Sequence, residues 1–146
     1  VVSLRYFNVF GPGQDPDSEY SAVIPRFIKA VLKGERPNIY GDGEQSRDFT
    51  YVDNVVEANL LAVRVKERVG GENFNIASAG RVTINQLWSL ISKLTQQKIA
   101  SVFIAPRLGE IRHSLADISK ARGRLGYTVK VDFETGLART IDYFRS

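Results

Sequence analysis

Apolar positions recur along the chain in two rhythms, one of strands and one of helices. Val1, Val2 and Leu4 open a run that reaches Phe10, which predicts a strand over Val1–Phe10, apolar on both faces. Gly11-Pro12-Gly13 breaks it, and QDPDSEY reads as a polar loop. In AVIPRFIKAVLKG, Ile24, Phe27, Ile28, Val31 and Leu32 share one helix face, with Pro25 in the first turn and Gly34 as the stop. NIYGDGEQSRDFTYV reads as two short strands around a GDG turn. Asp53 is the expected N-cap of a second helix running through NVVEANLLAVRV. NFNIAS is a short strand, and Thr83 with Gln86 forms a capping-box pattern ahead of Leu87, Leu90, Ile91 and Leu94. SVFIAP is a further strand. ADISKARGRLGY predicts a helix stopped near Gly126, and DFETGLARTIDYFR a last helix after Asp132. Helices and strands interleave, so the class is α/β or α+β. No repeat emerges at a fixed period.

Composition narrows the picture only modestly. With 146 residues, the chain can bury one good core or two small ones. Its 43% hydrophobic and 25% charged residues are ordinary for a globular domain. The net charge of +4 is spread along the chain without a basic run, which argues against nucleic acid and suits an anionic small molecule. There is no cysteine, so thiolate chemistry is excluded and zinc would have only His113 and carboxylates. No apolar stretch approaches the length of a membrane span, and no signal peptide is visible.

Neither glycine cluster fits a nucleotide fingerprint. GPGQDP has Pro16 and GDGEQS has Ser46 where G-x-G-x-x-G needs its last glycine, so both read as tight turns. Arginines carry more information. Arg47 in SRDF and Arg107 in APRLGE stand at strand–loop junctions, where open α/β sheets place ligands and a guanidinium can hold a phosphate bidentately. The alternative is ion pairing, Arg47 with Asp48 and Arg107 with Glu110. Asn8 offers an amide that reads a ligand or caps a loop. His113 reads as a surface or hydrogen-bonding residue, and Trp88 as core. Asp15, Asp17 and Glu19 are loop charges that make a poor metal site.

Four stretches in order, LRYFNVFGPGQDP, YSAVIPRFI, GDGEQSRDFTYVDNV and PRLGEIRHSLADISKARGRLGY, together resemble the C-terminal half of the NAD-dependent nucleotide-sugar epimerase/dehydratase family. These are the extended short-chain dehydrogenases, and the likeness is greatest to UDP-glucose and UDP-N-acetylglucosamine 4-epimerases. The resemblance covers residues 1–146 as a single incomplete unit. It implies an α/β fold: the last strands and helices of a Rossmann-type domain interleaved with a small substrate-binding region. The dinucleotide-binding half, with its glycine loop and Y-x-x-x-K, would precede Val1. No tyrosine here has a lysine four residues later, so the catalytic base is not in this chain.

The resemblance also implies roles. Phe7 and Val9 would flank the nicotinamide end of NAD, and Asn8 would contact the sugar. Gln14, Ala22 and Val23 would line the substrate loop and helix start, Phe27 and Tyr40 would pack on uridine, and Arg47 and Arg107 would neutralise the diphosphate. Glu110 stands where the family usually has Asp near the ribose. Ser114 would stand near the sugar C2 substituent, a small residue there implying tolerance of N-acetyl groups. The parent would be an NAD-dependent, cytoplasmic, homodimeric UDP-sugar 4-epimerase that reversibly oxidises C4. This chain alone would be its substrate-binding half, with no epimerase activity and no useful NAD affinity. Rivals are a UDP-glucuronate epimerase or decarboxylase, a sugar-nucleotide dehydratase, and a catalytically inactive nucleotide-binding or assembly module. Residues Val1–Leu4, without their original neighbours, would lie at a sheet edge or pair with another copy.

Overall fold

The structure is a computed structural model that describes residues 1–17, 22–65 and 69–146. The expected opening strand is two, β1 (Ser3–Tyr6) and β2 (Val9–Phe10). The break falls at Asn8, whose φ of 39° is left-handed, a conformation asparagine adopts more readily than other side chains. β1 is not buried on both faces: Ser3, Arg5 and Tyr6 are exposed. Only its inward positions are apolar and shielded, with Leu4 packed against a core. The polar loop expected after Gly13 lies partly outside the described residues, as do Glu19 and Tyr20.

Helix α1 (Val23–Leu32) follows the predicted apolar stripe, and Gly34 leaves it at φ 71°. Next come β3 (Asn38–Tyr40), β4 (Ser46–Arg47) and β5 (Thr50–Tyr51). These were expected as two strands around one turn. Instead there are three, and none pairs with another of them. Each residue pair that would close a hairpin is drawn to a distant partner: β3 to β8 (Val102–Ile104), β4 to β7 (Val82–Thr83), β5 to β2. The β7 strand has too few residues to show in a hydropathy pattern.

Helix α2 (Val52–Arg64) begins one residue before the expected cap. Tyr51 is its N-cap, and Asp53 sits in the first turn, where its charge still favours the helix dipole. Strand β6 (Asn73–Ile76) pairs with β1 in parallel, and β1 has no second neighbour among the described strands. Helix α3 (Ile84–Thr95) starts on the complete Thr83/Gln86 capping box. Helix α4 (Ser119–Leu125) ends at Gly126 with φ 69°, and α5 (Phe133–Arg145) is capped by the Asp132 side chain on the Thr135 N–H.

Two hydrophobic clusters form. The first gathers α1, α3 and α5 around Phe10, Phe27, Ile39, Trp88 and Leu137. Phe10 meets Phe49, Tyr51 and Phe133 edge-on, geometry that favours the aromatic quadrupoles. The second joins β1 and β6 to α2 and α4 around Phe74, Ile76, Ala121 and Tyr127. Gly136 is required where α5 crosses β5, since a Cβ there would come within 2.7 Å of the Tyr51 ring. Asn54 ties α2 to the last loop, accepting from the Lys130 and Val131 N–H groups and donating to the Val131 carbonyl.

Candidate functional site

A cavity of about 390 Å³ opens where α1, β3, β4 and the segment after β8 converge. Helix α1 contributes Val23, Arg26 and Phe27 because its buried stripe turns Phe27 inward, edge-on to Trp88 at 5.6 Å. Strand β3 supplies Tyr40, whose backbone carbonyl accepts from Gln45 Nε2 at 2.8 Å. Strand β4 supplies Arg47, and the loop after β8 supplies Arg107 and Glu110. A shallower extension of about 420 Å³ runs outward past Asn8, Arg47, Arg107 and Glu110 to Leu108, Ile111 and Ser114.

The two arginines are held differently. Arg47 Nη2 pairs with Glu110 Oε1 at 3.0 Å, and Nη1 donates to the Ser46 and Arg112 carbonyls at 2.9 and 3.4 Å. The Arg107 guanidinium lies over the Tyr40 ring, 4.0 Å from its centroid. Neither of the ion pairs that the sequence offered as the alternative forms. Asp48, next to Arg47, instead turns inward, and Glu110 pairs across to Arg47 rather than with Arg107. The Arg107 guanidinium beside Tyr40, with a smaller contribution from Arg26, holds the phenol below the usual tyrosine range.

Asp48 is fully buried and accepts the backbone N–H groups of Ser78, Ala79 and Ala116 at 3.0–3.2 Å. Burial pushes its carboxyl up, against the opposing pull of those N–H groups and that of Gly80. Asn8 Nδ2 donates to the Asp48 carbonyl at 3.1 Å, so the loop-capping role is realised while the residue also lines the cavity. His113 Nδ1 lies 2.9 Å from Ser46 Oγ, a hydrogen-bonding role as expected. The Ser114 N–H donates to the Ser46 carbonyl at 3.1 Å, fixing that residue at the outer rim.

Eight of the sequence-derived site residues therefore meet at one cavity: Asn8, Ala22, Val23, Phe27, Tyr40, Arg47, Arg107 and Glu110. Ser114 joins them on the outer extension. Gln14, Phe7 and Val9 line neither. Gln14 Nε2 donates to the Val9 carbonyl, and Phe7 and Val9 pack against the second cluster. Arg26 was missed. Its signal was its place one residue before Phe27 at the helix start, which puts a cation at the cavity wall. The described residues also offer no glycine loop opening onto a helix N-terminus. A dinucleotide pyrophosphate therefore does not fit these residues alone.

Interleaved parallel strand pairs, two cores and an arginine-lined cavity at strand ends define an α/β chain of Rossmann type. The sequence profile of the NAD dependent epimerase/dehydratase family matches residues 1–77. The chain belongs to that family. A putative UDP-glucose 4-epimerase of Methanocaldococcus jannaschii is 36% identical over 98% of this chain and 45% of its own length. The UDP-N-acetyl-alpha-D-glucosaminuronate decarboxylase of Bacillus cytotoxicus is 38% identical over 99% of this chain and 46% of its own. Among solved structures, the UDP-glucose 4-epimerase of Thermotoga maritima with UDP-glucose superposes with a TM-score of 0.92 at 44% identity, covering 99% of this chain and 45% of that one. The chain spans a little under half the length of the relatives it matches, corresponding to their C-terminal portion.

Proposed function

We propose that this chain forms the nucleotide-sugar-binding part of an NAD-dependent UDP-sugar 4-epimerase. The observation that carries the reading is the meeting of Arg107 and Arg47 with Tyr40 and Phe27 in a single cavity. Guanidinium groups suit a diphosphate, and aromatic faces suit a planar base. Asn8 and Ser114 then face the sugar, Ala22 and Val23 line the helix start, and Gln14 supports the loop between them. Phe7 and Val9 stand toward the nicotinamide end in the parent enzyme, whose cofactor would be NAD. Relatives named as UDP-glucose 4-epimerases support this assignment.

Calorimetric titration of the purified chain with UDP tests the site. Saturable binding, weakened about tenfold or more by Arg107→Gln, is expected. Absence of binding, or equal affinity in the variant, would overturn the reading. Serine at 114 leaves room at the rim, so UDP-N-acetylglucosamine should bind about as well as UDP-glucose, with Ser114→Tyr weakening only the former. The rival uronate reading draws on the decarboxylase relative. Clear preference for UDP-glucuronate in the same titration would favour it.

A further inference from the structure

We propose that His113 is a positioning residue: it pins the register of residues 112–114 against β4 and so keeps Ser114 at the sugar end of the site. The proposal rests on the reading of Ser114 given above and deepens it by naming what holds that residue in place. His113 stands opposite Ser46 in a single isolated parallel bridge. Two backbone hydrogen bonds make it, from the Ser46 N–H to the Arg112 carbonyl at 2.8 Å and from the Ser114 N–H to the Ser46 carbonyl at 3.1 Å. Backbone groups are alike at every residue, so a bridge this short specifies its register weakly. The side chains supply what the backbone lacks, since Ser46 Oγ and His113 Nδ1 share a hydrogen bond of 2.9 Å.

The two sides of this bond are not equally fixed. Ser46 is buried and paired on its other side with Thr83 of β7, so β4 is the stationary partner. Around His113, Ile111 and Leu115 are exposed, and little buried area resists a slip. Adjacent side chains of an extended segment point to opposite sides. With His113 turned to β4, Ser114 faces the outer extension of the cavity. A slip of one residue brings His113 or Leu115 to that place, each far larger than serine, and crowds an acetamido group before it crowds a hydroxyl. Arg47 depends on the bridge less, because its Nη1 donates to the Ser46 carbonyl at 2.9 Å and to the Arg112 carbonyl at only 3.4 Å. The pin therefore acts on the sugar end more than on the diphosphate.

The test is calorimetry of UDP, UDP-glucose and UDP-N-acetylglucosamine with the wild-type chain, His113→Phe, His113→Asn, Ser46→Ala and Ser114→Tyr. Phenylalanine keeps a ring without its nitrogens, asparagine keeps a polar group near the Nδ1 position, and thermal denaturation reports which variants fold. His113→Phe and Ser46→Ala should each weaken UDP-N-acetylglucosamine about three- to tenfold relative to UDP-glucose, with UDP within about twofold. The double variant should go no further than either single one, because both remove the same bond. His113→Asn should recover most of the ratio. A merely structural role would weaken the three ligands together and keep the ratio. That result overturns the pin, as do additive effects, no recovery in His113→Asn, or an effect in one folded single variant without the other. If Ser114→Tyr shifts the ratio while the His113 and Ser46 variants leave it alone, only this inference falls. If Ser114→Tyr leaves the ratio alone, the reading of Ser114 falls with it, and if no form binds UDP, so does the nucleotide-sugar reading.

Discussion

The two walls of the cavity are built on different physics. The inner wall, α1 with β3, is backed by the first hydrophobic cluster, where Ile24, Phe27, Ile28, Val31 and Ile39 are almost fully buried. The outer wall, residues 105–116, carries Leu108 and Ile111 into solvent. It is attached at points: Glu110 to Arg47, Arg112 to Asp42, His113 to Ser46, and the Ala116 N–H to Asp48. Burial is non-directional and not screened by salt as charge pairs are, whereas point contacts are directional and can be exchanged for a ligand's. A pocket that must both keep its shape and admit an anion benefits from one wall of each kind.

The largest expected effect comes from breaking the inner wall. Phe27→Ala removes a ring that meets Trp88 edge-on and empties space beneath the cavity. A loss of about 3–5 kcal/mol in unfolding free energy is expected from urea denaturation, nearly independent of salt. A loss under about 1 kcal/mol would mean that α1 is not anchored by this cluster, and the contrast between the walls would fail.

The inner wall was also the legible one. Its helix announced itself by 3.6-residue spacing, and elsewhere the Thr83 box, Gly126 stop and Asp132 cap were local signals that tertiary context did not override. The strand pairings were not legible: β3 with β8, or β4 with β7, joins residues tens of positions apart, and no local rule states it. The same distance hid the true partners of the arginines. Sequence neighbours suggested Asp48 for Arg47, but a strand sends adjacent side chains to opposite faces, and Asp48 went into the interior. The resemblance brought together the cavity residues that spacing alone could not. It left Phe7, Val9 and Gln14 off the cavity, in positions that only contacts outside these residues would explain.

Asp48 is where the outer wall comes closest to being core. Asp48→Asn keeps the shape but replaces one acceptor oxygen with an NH₂ that faces backbone donors, leaving at least one buried N–H unpaired. The expected cost is about 1–3 kcal/mol. Hydrogen exchange should show the loss first at Ser78, Ala79 and Ala116, with α1 and α3 keeping their protection up to the new global stability. Uniform loss along the chain would make Asp48 an ordinary core residue rather than the clamp of one wall.

The smallest effect is expected at the rim, from Arg112 and Asp42, 2.8 Å apart and both more than half exposed. At neutral pH, Arg112→Gln should leave the denaturation midpoint within experimental error, because exposed pairs gain little over their solvated parts. The pair should show itself through pH. The Arg112 guanidinium, helped by the Glu44 N–H, holds the Asp42 carboxyl below the usual carboxylate range. The folded form therefore ionises at lower pH than the unfolded one. Its contribution is present above about pH 4 and is lost as pH falls through the folded value. Hydrogen exchange of residues 105–116, corrected for the intrinsic pH dependence of exchange, should show protection falling below pH 4 while α1 and α3 hold. In Arg112→Gln that fall should flatten, since the largest cause of the shift is gone. Acid loss of the same size in both forms would show that the Asp42–Arg112 pair does not attach the outer wall.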